Sequence, residues 1–238
     1  MLFAYMHRAQ KLLRDQRCQL INPSDLISYI NEARMQLVGE SECLPFMGSL
    51  ALSAGTQVYS FSDITLTGAA AAGIQQPINV STLWFQVASG QKWLRPRPWP
   101  WFSLYELNNP VPSSGPPAVW SQYGQGTAGT IYVSPLPDQD YVVPADCMCL
   151  PIELVDDTTV EAIPQLWQEA VPYYATYLAM LSMDTGADVG AADKMLQKYT
   201  DYVQRARRAA TPSILPTIYS QVQNPVRANQ IGEQAGGG

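Results

Sequence analysis

The chain has 238 residues, of which 47% are hydrophobic and 14% charged. That is enough apolar side chain for a real core in one large domain or two modest ones, with charge well below the roughly 25% of an average soluble domain. No run approaches the ~18 apolar residues of a transmembrane helix, and the apolar stretch 1–6 is followed rather than preceded by basic residues, unlike a secretory signal.

Net charge is −6 and unevenly spread. Residues 1–20 carry Arg8, Lys11, Arg14 and Arg17 against Asp15, a net +3. Residues 198–238 carry Lys198, Arg205, Arg207, Arg208 and Arg227 against Asp201 and Glu233, again +3, which leaves −12 between them. A dense part of that acidity is Asp146, Glu153, Asp156, Asp157 and Glu161. Such a run is either a solvated face or a surface that repels an anionic polymer. The 19 prolines, 16 glycines and many aromatics beside so few charges fit a surface partly hidden in an oligomer. Cys18, Cys43, Cys147 and Cys149 match no metal or redox spacing, so reduced thiols and folding in a cytoplasm are expected.

Residues 2–17 read as a helix with a thin stripe of Leu2, Met6, Ala9, Leu12 and Leu13. Asn22-Pro23-Ser24-Asp25 is a helix start: Asn22 caps, Pro23 takes the first position, and Asp25 faces the positive end of the helix dipole. Leu26, Ile27, Ile30, Ala33, Leu37 and Val38 then form a firm stripe, and Gly39 is expected to end it. From about 50 to 153 the pattern changes to strand. Leu50 and Leu52 lead into a turn at Ala54-Gly55, and 57–61 alternates. Residues 65–73 read as a flexible loop. A strand over 80–87 turns at Ala88-Ser89-Gly90 into a hairpin partner over 91–94. Pro96, Pro98 and Pro100 exclude a central strand there, and the proline-rich stretch 108–117 is a loop. Further strands are expected at 118–123, 130–133 and 141–150, with Asp138-Gln139 turning the last pair.

Residues 161–208 read as a helical hairpin around which the rest is built. The first helix has a stripe of Ile163, Leu166, Trp167, Ala170, Val171, Tyr174, Leu178 and Leu181; the second has Ala192, Met195, Leu196, Tyr199, Val203 and Ala206. Gly186 suits the left-handed end of the first, and Asp188 the cap of the second. Pro172 should kink the first helix near Gln168. Beyond 210 the chain has no helical period and should be extended unless a partner orders it. The expected fold is α+β. A body made of an N-terminal arm and helix (1–49) and a helical hairpin (154–211) carries an inserted antiparallel β domain (50–153) and an extended tail (212–238).

Signs of catalysis are few. His7 is the one histidine. No phosphate-loop, dinucleotide or zinc-protease motif is present, and no cofactor or metal is expected. Asp156 with Asp157, or Glu153 with Asp157, are possible carboxylate pairs for hydrolysis or metal binding; adjacent acids before a helix are far more often caps and surface charges. Trp93, Trp99, Trp101, Phe102 and Tyr105 form the densest aromatic cluster, interleaved with Arg95 and Arg97. The readings for it are a strand edge with a stiffened loop, a protein–protein contact, or a site for single-stranded nucleic acid or sugar.

Several runs together resemble the head-to-tail adaptor (connector, head-completion) proteins of short-tailed bacteriophages. They are Leu12-Leu13-Arg14-Asp15 with 25–33, Leu50 and Leu52 leading into 54–59, 131–138 with Tyr141, and Ile163-Pro164-Gln165-Leu166-Trp167 with the helices after it. The resemblance covers about 5–210. It implies a non-enzymatic structural protein of the virion neck, assembled in the host cytoplasm as a homo-oligomeric ring, usually of twelve copies. The ring lies between portal protein and tail, with DNA only as cargo through its channel and no membrane partner. The C-terminal segment would grip the portal through Pro212, Ile214, Leu215, Pro216, Ile218 and Tyr219, helped by Arg205, Arg207 and Arg208. Trp93, Arg95, Arg97, Trp99 and Trp101 would meet the tail or another partner, and Asp146, Glu153, Asp156, Asp157 and Glu161 would face the channel. The alternatives are a tail-tube or nozzle component of the same virion, a cell-wall hydrolase using the carboxylates of 153–161, and a carbohydrate-binding module using Trp93–Trp101.

Overall fold

The computed structural model describes residues 1–15, 19–87, 90–108, 113–183 and 189–210. In chain order the elements are α1 (Leu2–Leu13), α2 (Pro23–Ser41), β1 (Pro45–Leu52), β2 (Val58–Ser60), β3 (Ile64–Thr65), β4 (Ile74–Val87), β5 (Gly90–Trp93), β6 (Arg95–Pro96), α3 (Trp99–Tyr105), β7 (Val119–Tyr123), β8 (Thr130–Ser134), β9 (Tyr141–Pro151), α4 (Ala170–Ser182) and α5 (Val189–Ala210). The fold is α+β, with four longer helices forming a body and two sheets between α2 and α4.

Both N-terminal helices end on left-handed residues, Arg14 (φ 57°) and Glu42 (φ 53°). Past Arg14, the Asp15 carboxylate accepts the backbone N–H groups of Gln19 and Leu20 at 2.8 Å and of Ile21 at 3.2 Å, which turns the chain toward α2. The helix expected over 2–17 is therefore shorter. Its buried face is Leu2, Tyr5, Ala9 and Leu13. Asn22 caps α2 as the sequence predicts, accepting from the Ser24 N–H at 3.3 Å. Gly39 does not end it. The helix runs on to Ser41, because burial of Val38 and Ser41 outweighs the ~1 kcal/mol a helical glycine costs.

The hairpin at 161–208 is shorter than its pattern predicts. Residues 161–169 form turns, and α4 starts at Ala170. Pro172 consequently sits in the first turn, where its missing N–H has no partner to lose, so no kink is needed. The buried face of α4 keeps Ala170 and Val171 of the expected stripe, but Ala175, Thr176 and Ala179 fill the rest of it, while Tyr174 and Leu178 are half-buried and Leu166 and Leu181 are exposed. α4 packs against α1, α2 and α5 together. A helix enclosed on three sides needs small residues for close approach, so its alanines take the interior. α5 buries Ala192, Tyr199, Val203 and Ala206 as expected, and the Tyr199 hydroxyl donates to Glu40 of α2 at 3.1 Å. Gly186 and Asp188 lie outside the described residues.

The strands form a five-stranded sheet in the order β3-β1-β9-β4-β5 and a four-stranded sheet in the order β2-β8-β7-β6. All neighbours are antiparallel except β6 and β7. β8 and β9, expected to be a hairpin, belong to different sheets, so the bend at 138–139 carries the chain from one sheet to the other. Leu50, Leu52, Val143, Ala145, Cys147 and Cys149 form the inner face of the larger sheet, and α2 packs on it at β9. Burial pushes the Cys147 and Cys149 thiols up to about 12, which suits unreactive core residues. Cys18 lies outside the described residues.

Residues 65–73 are not a loose loop. They contain a short helical turn (Ala70–Ala72), Ala69 is buried, and Gly73 closes the segment with φ 73°. A Cβ on Gly73 would lie 2.5 Å from the Val160 carbonyl oxygen, while the Gly73 carbonyl accepts the Ile152 N–H at 2.9 Å. Only glycine allows both the backbone conformation and the close approach.

Candidate functional site

The acidic set divides by environment. Glu161 points into the molecule, its side chain only 5% exposed, so it leaves the group expected to face a channel. It pairs with the fully buried Arg34 of α2 at 2.9 Å from Nη2, and Nε donates to the same carboxylate at 3.1 Å. The remaining Arg34 donors reach the Ile152 carbonyl at 2.6 Å and Asn31 Oδ1 at 3.2 Å. Asn31 in turn accepts the Leu154 N–H at 2.8 Å and donates to the Leu154 carbonyl at 3.1 Å. This network fastens the chain leaving β9 to the middle of α2. The Tyr5 hydroxyl lies in the same buried region, and burial, then the Glu161 charge, raises its pKa far above the ordinary phenol value. Arg34 was legible on spacing alone: it is four residues from Ile30 and from Val38, on the apolar stripe itself.

Asp156 and Asp157 are exposed and locally engaged. Asp156 Oδ1 accepts from the Thr158 hydroxyl at 2.7 Å, the Thr158 N–H at 2.9 Å, and the N–H and hydroxyl of Thr159 at 3.0 Å each. These bonds, the Thr158 hydroxyl first, hold its pKa below the ordinary carboxylate value. Asp157 pairs with the Met1 ammonium, which lowers its pKa, and accepts the Phe3 N–H at 3.3 Å. Both carboxylates are thus taken up by local partners, Asp156 by Thr158 and Thr159 and Asp157 by Met1 and Phe3. Glu153 is exposed, and Asp146 is half-buried on the outer face of the five-stranded sheet, where burial pushes its pKa up. Arg8 forms a two-pronged pair with Glu169, so one of the N-terminal cations is neutralised in place. His7 is on α1, a helix packed on the body.

The aromatic–basic stretch folds in a way the prolines conceal. β6 is only two residues long, at the edge of its sheet. Arg95 and Arg97 make its bonds, donating their N–H groups to Ala118 (2.9 Å) and Trp120 (2.8 Å), so Pro96 needs no N–H. Pro98 then precedes α3, and Pro100 lies in its first turn, where proline is tolerated. The sequence reading missed this helix. Phe102 is fully buried, and Trp99 is wedged between Tyr123 and Tyr132 at ring distances of 4.8 and 4.6 Å, so both anchor α3 to the smaller sheet. The other side stays outside: Arg97 lies 4.8 Å over the Trp101 ring, Trp101 packs on Tyr105, and Leu104 and Tyr105 are 64% and 65% exposed. Trp93, on the edge strand β5, rests on Trp84 at 5.0 Å and is also exposed. Of the five expected contact residues, Trp99 is held against the smaller sheet, Arg97 and Trp101 stack on each other, and Trp93 and Arg95 are exposed. Leu104 and Tyr105 add to the exposed side of α3, at the i+3 and i+4 spacing from Trp101 that a helix would have revealed.

Arg205, Arg207 and Arg208 are exposed near the end of α5, with Arg205 5.8 Å over the Tyr202 ring. Pro212, Ile214, Leu215, Pro216, Ile218 and Tyr219 lie outside the described residues. Among those described, no helix is long and apolar enough to cross a membrane, and no three His, Cys, Asp or Glu side chains cluster as metal ligands would.

No curated protein matches the chain. The profile of one family, described as SU10 adaptor protein, matches residues 5–225, which takes in both helical segments, both sheets and part of the sequence after α5. The chain belongs to the SU10 adaptor protein family, a family of phage adaptor proteins.

Proposed function

We propose that this chain is a structural, non-enzymatic subunit of the phage neck, forming a ring between portal and tail through which DNA passes. The observation that carries the reading is the family match over residues 5–225. Three features support it. The helical body is braced by a buried ion pair. An exposed surface of Trp, Tyr, Leu and Arg has the composition of a protein contact. Asp156 and Asp157 are exposed acids, and facing the channel they would keep it from holding the DNA that must move through it.

The tail after α5 is the portal-gripping element in this reading. Its apolar residues Ile214, Leu215, Ile218 and Tyr219 are spaced by Pro212, Pro216 and Pro225, which restrict the free chain and reduce the entropy lost on docking. Arg205, Arg207 and Arg208, exposed at the end of α5, would meet acidic groups on the portal rim. A chain truncated after Ala210 should keep its melting temperature, since α5 and the core remain. It should fail to join portal rings and fail to restore virion assembly. Normal assembly of the truncated chain would refute the role of the tail.

The isolated protein should not bind duplex DNA at physiological salt, because its acidic surface outweighs short basic ends. Fluorescence anisotropy with a labelled duplex measures this directly. Nanomolar binding with a steep salt slope would move the protein to a nucleic-acid-binding class.

A further inference from the structure

The chain carries two surfaces of opposite charge, one on each side of the fold's division of labour. The first is the strip from β5 to α3. Arg95 and Arg97 are exposed there, Arg97 stacked over Trp101, with Trp93 and Tyr105 exposed in the same run of chain, and neither cation has a carboxylate in ion-pair distance among the described residues. The second is a groove of about 480 Å³ between α2 and the chain just after β9. Glu32 and Glu153 stand at its sides, and Ile27, Met35, Leu154 and Val155 supply its apolar lining. Val155 is 76% exposed, and neither glutamate has a basic partner among the described residues.

Each surface offers what the other needs. Aromatic and guanidinium groups are the commonest anchors of protein interfaces, and they bind best where apolar contact and opposite charge coincide. A basic aromatic strip and an acidic apolar groove on one chain make a heterologous pair. When every copy presents its strip to the next copy's groove, the contact is head-to-tail and repeats from copy to copy, the kind of contact a ring is built from.

We propose that the β5–α3 strip of one copy docks in the α2/153–155 groove of the next, and that this contact joins the subunits of the adaptor ring. The inference rests on the ring reading above and assigns the strip to a second copy of this chain, not to the tail.

A charge swap tests it. One variant carries Arg95→Glu and Arg97→Glu; the other carries Glu32→Lys and Glu153→Lys. All four positions are exposed, so both variants should melt like the unmodified chain. Each is added to portal rings from the same virion, and the number of adaptor copies bound per ring is measured by mass. Each variant alone opposes like charges at every contact, and ring occupancy should fall by roughly tenfold or more. An equimolar mixture should restore it, because the reversed strip of one variant meets the reversed groove of the other in alternation. Full occupancy by each variant alone would overturn the interface and leave the adaptor reading intact. So would a defect only in later addition of the tail, which would give the strip to that partner. A mixture as deficient as its components would also overturn the pairing. Failure of the unmodified chain to join portal rings would overturn the adaptor reading itself.

Discussion

Replacing Glu161 by Leu should destabilise the fold by about 3–5 kcal/mol, the cost of leaving a buried guanidinium without its counter-charge. Arg34 is fully buried and cannot turn to water, and its other partners, the Ile152 carbonyl and Asn31, carry no net charge. Glu161 also accepts the Ile163 N–H at 2.9 Å, so the turn leading to α4 loses a bond as well. For a domain of this size the loss corresponds to a fall in melting temperature on the order of 10 °C. The double variant Arg34→Met with Glu161→Leu should recover much of the difference, since two apolar side chains leave no charge to desolvate. Thermal melts of the two singles and the double complete the cycle. Single effects that simply add up to that of the double would mean the pair is not coupled in the folded protein.

Ile30→Asp should unfold the protein or cost several kcal/mol. Ile30 is fully buried on α2, in the core shared by the helical body. An aspartate there has no basic partner on the apolar stripe closer than Arg34, which is already committed to Glu161. Ile30→Val removes one methylene group and should cost only about 0.5–1.5 kcal/mol. Chemical denaturation of both variants separates loss of volume from burial of charge. An unchanged midpoint for Ile30→Asp would show that α2 does not pack on α4 and α5.

The two predictions draw on different kinds of information. Burial of Ile30 follows from the spacing of apolar residues in 22–38, and a 3.6-residue period leaves little choice about which side of α2 is inside. The same kind of signal placed α5, most of the strands, the β4–β5 hairpin and the cap at Asn22. Local patterns of this sort act over a few residues, so they can be read without knowing the partners. The resemblance carried by those runs led to the family that the profile match then showed.

What the sequence could not decide was how many neighbours each element has. The apolar pattern of α4 puts Tyr174, Leu178 and Leu181 on the buried face with Val171, but three helices surround it and close approach puts Ala175, Thr176 and Ala179 beside Val171 instead. The prolines of 96–100 rule out a central strand yet say nothing about a helix, because it is edge pairing with β7 and packing of Phe102 on the smaller sheet that set α3. The segment 65–73 has no periodic signal, and its order comes from contacts such as Gly73 against Val160, far along the chain. Glu161 belonged by sequence to an acidic run. Only tertiary structure brings it to Arg34, 127 residues away, and turns a surface charge into half of a buried pair. The sequence by itself determined the classes of element and their order, because backbone geometry and apolar period are local. Which faces are buried and which charges are paired was decided by the packing of elements distant in the chain.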